Sequence, residues 1–97
     1  MEREYLASDD SRGQDEQIIM EMPLPELENG KSAVISRLEG GSEFVNKLSS
    51  LNIRAGKIIR KVIMQPLKGP VIIEIDSRHI AVGQGMAYRI FVEPVKG

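Results

Sequence analysis

The sequence predicts a mainly β protein, a small antiparallel barrel of about five strands with one or two short helices. Three observations predict it. Short apolar or alternating runs recur at 31–38, 57–64, 71–76, 79–82 and 89–93, separated by turn residues. Only one stretch, 42–51, spaces its apolar residues for a helix. With 97 residues the chain has room for one domain, and its 41% hydrophobic but 4% aromatic composition calls for a core of Ile, Val and Leu with methionines as fillers.

Taken in order, residues 1–22 read as an acidic, flexible N-terminal extension ahead of a domain at 23–97. Residues 1–17 are rich in charge and show no periodicity. Ile18 to Met20 are expected to pack on the domain edge or pair as an extra strand, and Met20 and Met22 are also candidate translation starts. Pro23 and Pro25 favour an extended lead-in anchored by Leu24 and Leu27. Asn29-Gly30 signals a turn into the first strand, 31–38.

The central stretch, Phe44 to Val62, reads as helix, sharp turn and strand. Phe44, Val45, Leu48 and Leu51 fall on one helical stripe and are assigned to the core, with Ser42 as N-cap and Gly40-Gly41 punctuating the start. Asn52 stands where a helix end needs a left-handed residue. The segment 57–64 is a strand, and 66–70 (PLKGP) a loop that cannot pair regularly. In 71–76, Val71, Ile73 and Ile75 alternate against Ile72, Glu74 and Asp76. A tight turn at 76–78 leads to a strand at 79–82. Gly83-Gln84-Gly85 forces a bend, Met86-Ala87 form a single helical turn, and 89–93 is the last strand.

Composition narrows the chemistry. The chain has no cysteine, which removes disulfides, thiolate metal sites and cysteine nucleophiles. No apolar run approaches the roughly 20 residues of a membrane-spanning helix, so a soluble cytoplasmic protein without membrane insertion is expected. The net charge of −1 hides an asymmetry: residues 1–30 hold nine acids against two arginines, and residues 31–97 hold eleven Lys and Arg against five acids. His79 is the single histidine. With Glu74 and Asp76 it makes a weak candidate set for a divalent ion, short of the three or four well-placed ligands such sites need; no metal site and no cofactor is assigned. Ser49-Ser50 have no histidine partner, and Gly83-x-Gly85 lacks the long helix and third glycine of a phosphate loop, so no catalytic residue is assigned. The basic cluster of Arg54, Lys57, Arg60 and Lys61, helped by Lys47 and Lys68, reads as a solvated face or as one that meets an acidic or membrane-proximal partner surface. Nucleic acid is not expected, because stacking aromatics are scarce.

The stretch from Leu24 to Val95 resembles the FeoA family. Leu48, Leu51, Ile53 and Gly56 fit the family's "RL-x-x-LG-I-x-PG" signature, with Asn52 at its usual Gly and Ala55 at its common Pro. Ile80-Ala81-Val82-Gly83-Gln84-Gly85-Met86-Ala87 with Ile90 and Val92 matches its "IALG-x-GMA-x-x-I-x-V" ending more closely. The resemblance implies an SH3-like barrel, related to the one at the C-terminus of iron-dependent repressors of the diphtheria-toxin-repressor type. It also implies a non-enzymatic role in ferrous iron transport and iron homeostasis, by protein–protein interaction with the cytoplasmic part of the FeoB permease.

Two further roles stand beside that one: a stand-alone regulatory or self-association module like the repressor barrel, and an RNA-binding barrel. Homodimers through an open sheet edge are a further expectation. Residues expected at the partner surface are Lys47, Arg54 and Lys57 on the outward side of the central stretch, and Met64 and Leu67 around the 66–70 loop.

Overall fold

A computed structural model of the chain describes residues 20–67 and 69–95. Residues 1–19, Lys68 and 96–97 lie outside the described part. The elements are β1 (Met22–Pro23), a 3₁₀ turn (Leu24–Glu26), β2 (Ser32–Leu38), α1 (Ser42–Ser49), β3 (Ile58–Met64), β4 (Val71–Ile75), β5 (Arg78–Val82), α2 (Gln84–Ala87) and β6 (Ile90–Pro94). All five expected strands and the single-turn helix are present. A sixth strand, β1, arises where only an extended lead-in was expected. It pairs Met22 with Val92 and Pro23 with Phe91, so the domain begins within the expected extension. Pro23 sits on this edge strand, the one sheet position a residue without an N–H tolerates well.

The strands form one antiparallel sheet in the order β1-β6-β2-β3-β4-β5. Inward residues of β2 to β6 meet in one cluster with Leu24, Leu27, Leu48, Ile53 and Ala87. A flat sheet could not bring them together, so the sheet curls into an SH3-like barrel around an aliphatic core. Two bulges assist the curl. Ser36 is extra between the pairs Ile35–Val92 and Arg37–Phe91, and Val62 is extra between Lys61–Ile73 and Ile63–Ile72. Each bulge reverses the alternation, so β2 faces inward at Ala33, Ile35 and then Leu38, and β3 at Ile59, Lys61 and then Met64.

The helix end follows a Schellman motif. Ile53 N–H donates to the Leu48 carbonyl at 2.9 Å and Asn52 N–H to the Ser49 carbonyl at 2.8 Å, with Asn52 left-handed at φ 67° as the sequence indicates. The hydrophobic contact that accompanies the motif is the pair Leu48 and Ile53, both fully buried. This corrects the expectation for Leu51. The helix ends before it, and Leu51 is 37% exposed. Ser42 does not cap; Gly41 holds the N-cap position without a side-chain bond. Gly40 is fixed by packing, because a Cβ there would collide with the Phe44 ring. That ring, expected to be buried, is half-buried at the margin of the core, beneath the Arg89 guanidinium.

Candidate functional site

The C-terminal end of α1 and the β4–β5 hairpin meet and build one polar surface. The hairpin turns through Asp76 (φ 50°) and Ser77 (φ 63°), a two-residue type I′ connection made without glycine. Its tightness holds the Asp76 carboxylate against the helix end. Asp76 accepts from the Asn52 amide and, at 2.8 Å, from the Lys57 ammonium. These two donors, Lys57 first, hold its pKa below the ordinary 3.8, and the Arg78 charge adds to the effect. The Arg78 guanidinium in turn donates to the Leu51 carbonyl at 2.9 Å, covering one of the orphan carbonyls beyond the helix. Gly56, left-handed at φ 94°, lets the chain turn from Arg54 into β3.

Lys47, Arg54, Lys57 and Arg78 therefore share one neighbourhood with exposed Leu51, and Asp76 is the carboxylate among them. Three of the five expected partner residues, Lys47, Arg54 and Lys57, come together here. Arg78 was not foreseen, because only the hairpin register brings it back to the helix. Lys57 is not a free cation but half of an ion pair.

Met64 and Leu67 lie elsewhere. They sit at the far end of the β3–β4 hairpin, roughly 20 Å away at strand rise. Met64 turns inward against the core, a consequence of the Val62 bulge. Leu67 is 97% exposed at the loop tip with φ 58°, an uncommon conformation for leucine. The two do not form one patch.

The acids considered for a metal have other partners. Glu74 accepts from Arg60 Nε at 2.9 Å and Nη2 at 2.8 Å, and Asp76 is held as described. His79 is exposed on β5 opposite Glu74. Among the described residues no group of three or more His, Cys, Asp or Glu side chains is placed to hold a metal ion. Ser50 Oγ donates to the Lys47 carbonyl at 2.6 Å, a helix-end contact.

Lys61 departs furthest from expectation. Grouped from sequence with the solvated basic face, it is 3% exposed and points into the barrel. Its ammonium donates to the Pro25 carbonyl at 2.7 Å and the Leu27 carbonyl at 2.5 Å. Burial lowers its pKa from the usual 10.5. The side chain ties the 3₁₀ turn to β3, while its backbone exchanges bonds with Gly30 and Lys31. Near that turn an open groove of about 260 Å³ is lined by Met22, Leu27, Pro94 and Val95, with Glu26, Glu28 and Lys31 on its rim.

Another outward cluster clasps the opposite sheet edge. Glu21 accepts from Ser36 at 2.6 Å and from Arg37 at 3.1 Å, and Arg37 also binds Glu39 and lies 4.0 Å over the Phe91 ring. The Ser36 bond, then Arg37, keeps the Glu21 carboxyl below its ordinary range. Ser36 is the bulged residue, so the bulge presents this hydroxyl.

The half-open, six-stranded barrel plugged by a short helix defines an SH3-like protein with a basic, partly apolar surface at the helix end. Comparison with known proteins carries this further. The FeoA domain matches residues 22–94, and the chain belongs to the FeoA family. It is 31% identical over 71 residues to the putative Fe(2+) transport protein A of Methanocaldococcus jannaschii, covering 73% of this chain and 84% of that protein. The crystal structure of an iron uptake regulatory protein (FeoA) superposes with a TM-score of 0.72 at 28% identity, over 79% of this chain and all of that one. The repressor ScaR, crystallised with bound zinc, shares the fold alone: TM-score 0.71 at 22% identity, over 76% of this chain and 37% of that chain. Among the described residues no helix is long and apolar enough to cross a membrane.

Proposed function

We propose that this chain is a non-enzymatic accessory protein of ferrous iron uptake that acts in the cytoplasm. On this reading it docks on the cytoplasmic part of a FeoB-type permease through the basic surface at the end of α1. The observation that carries the reading is family membership over residues 22–94. The name of the M. jannaschii relative supports the transport role. The barrel supplies rigidity, and the helix end supplies Lys47, Arg54, Arg78 and Leu51 on a frame fixed by the Schellman motif and the type I′ turn. A cationic surface of this kind speeds encounter with an acidic partner, and a central aliphatic residue slows departure. Leu67, at the other end of the sheet, is a separate candidate contact.

Iron is cargo of the transport system on this reading. The reading predicts that the purified full chain binds the cytoplasmic part of a FeoB-type permease, with affinity that falls as salt rises. Calorimetric titration at moderate salt checks it. Absence of heat and of co-elution, with both proteins folded, would refute the docking reading.

A further inference from the structure

The sheet has two ends, and they differ. β1 is two residues long and one of them is Pro23, so it offers little to a further strand. β5 is five residues long, carries no proline and follows β4 without a bulge. Among the described residues it has one neighbouring strand. The type I′ turn decides which of its backbone groups are free. Such a two-residue turn is closed by a hydrogen-bonded pair, here Ile75 and Arg78. Pair types alternate along the hairpin, so Arg78, Ile80 and Val82 direct their N–H and C=O groups to β4. His79 and Ala81 direct theirs outward, and no other backbone group among the described residues reaches them. Both residues are exposed. We infer that β5 pairs antiparallel with β5 of a second copy, about a two-fold axis at Ile80, joining two barrels through one sheet.

The register follows from counting. With the two Ile80 residues opposite each other, His79 falls opposite Ala81 of the second copy, and Ala81 opposite its His79. These become two hydrogen-bonded pairs, which satisfy every outward group of both strands. An axis at His79 or at Ala81 leaves the other residue opposite Ser77 or Gly83, outside the strand. Charge agrees with the Ile80 register. Arg78 falls opposite Val82, so no cation meets itself across the axis. Glu74, the acid beside His79 on the same face, is already bonded to Arg60. Size agrees as well: Ala81 is small, which leaves the imidazole of His79 of the second copy room to lie towards Ile72. The edge is complementary to itself, which is the requirement of a two-fold interface. Five paired residues bury less than the roughly 1,200 Å² of a standard interface, so the dimer is weak and grows with concentration. Lys47, Arg54 and Lys57 take no part in it, so the pairing is independent of the docking proposed above.

Amide hydrogen exchange of the full chain reads the pairing residue by residue. In dilute solution the Ile80 N–H, bonded to β4, is expected to exchange slowly and the His79 and Ala81 N–H groups fast. Raising the concentration from micromolar to millimolar should slow His79 and Ala81 severalfold, in step with a dimer in sedimentation equilibrium. A mixture of isotope-labelled and unlabelled chains should show an Hα contact between Ile80 of the two copies. Ala81→Pro removes an outward N–H that the single copy does not use, and should abolish the dimer. Ala81→Lys keeps the N–H and suits an edge strand, but sets two ammoniums diagonally across the axis. It should weaken the dimer about tenfold or more, and it decides the matter where the proline variant does not fold. A chain that stays monomeric at millimolar concentration, or a dimer in which both amides still exchange fast, would overturn the inference. So would slow exchange of both amides in a chain that sediments as a monomer, which assigns the edge to another segment of the same copy. Folded variants that dimerise as the parent does would overturn it too. Failure of permease binding leaves the pairing untouched.

Discussion

Lys57 and Lys61 flank the first turns of the same strand segment, KIIRK, and meet opposite environments. Lys57 lies at the rim, paired with Asp76 across an open surface, with 29% of its side chain still in water. Lys61 faces the barrel interior, its ammonium bonded to two backbone carbonyls and no carboxylate beside it among the described residues. The difference teaches that charge in this chain serves two ends. At the rim it is cheap to rearrange and available to partners. In the interior it satisfies carbonyls that a 3₁₀ turn leaves facing the core, and removing it orphans them.

The largest predicted effect follows from the interior lysine. Lys61→Met keeps the stem but leaves the Pro25 and Leu27 carbonyls unbonded, and should cost about 2–3 kcal/mol in urea unfolding. A cost below about 0.5 kcal/mol would break the comparison, since that is the range of surface substitutions. Next comes the helix end. Asn52→Ala places a Cβ residue without a side-chain partner at φ 67° and should cost about 1–2 kcal/mol. Asn52→Gly, which keeps the conformation, should stay within about 0.5 kcal/mol of the parent. Smaller still is the rim pair. Asp76→Asn should lower the melting temperature by no more than a few degrees, and the difference should shrink as salt is added.

The two regions also answer pH with opposite timing. The folded pKa of Asp76 is depressed, so its contribution is present above the unfolded value of 3.8 and is lost as pH falls through the lower folded value. Acid unfolding of Asp76→Asn should therefore start from a smaller loss below pH 4 than that of the parent. Lys61 has a folded pKa lowered from 10.5, so the unfolded chain binds more protons in the alkaline window. Stability of the parent relative to Lys61→Met should rise as pH climbs through the folded value toward 10.5, and a fall there would contradict the buried placement.

Much of this was legible in the sequence because the local signals agreed. Clean alternation in 71–75 placed Val71, Ile73 and Ile75 inside, where they are at most 1% exposed. Asn52 announced a left-handed residue, and 76–78 a tight turn. What was hidden came from events that shift a pattern by one residue. The bulge at Val62 reverses the face of β3 partway along, so KIIRKVIM shows no simple alternation, and a lysine among basic neighbours reads as surface. Leu51 follows Leu48 at helical spacing, yet the Schellman turn ends the helix first and Ile53 takes the core position. The docking surface was half legible: Lys47, Arg54 and Lys57 are close in sequence, whereas Arg78 joins them only through tertiary register.

The measurement that bears most directly on the account is permease binding by Lys47→Glu/Arg54→Glu, two exposed cations outside the Asp76 pair. Calorimetric titration with the cytoplasmic part of a FeoB-type permease should show at least a tenfold weaker complex, about 1.4 kcal/mol. The melting temperature should be unchanged within a few degrees, since neither side chain enters the core. Parental affinity in a variant that remains folded would contradict the assignment of this surface to docking.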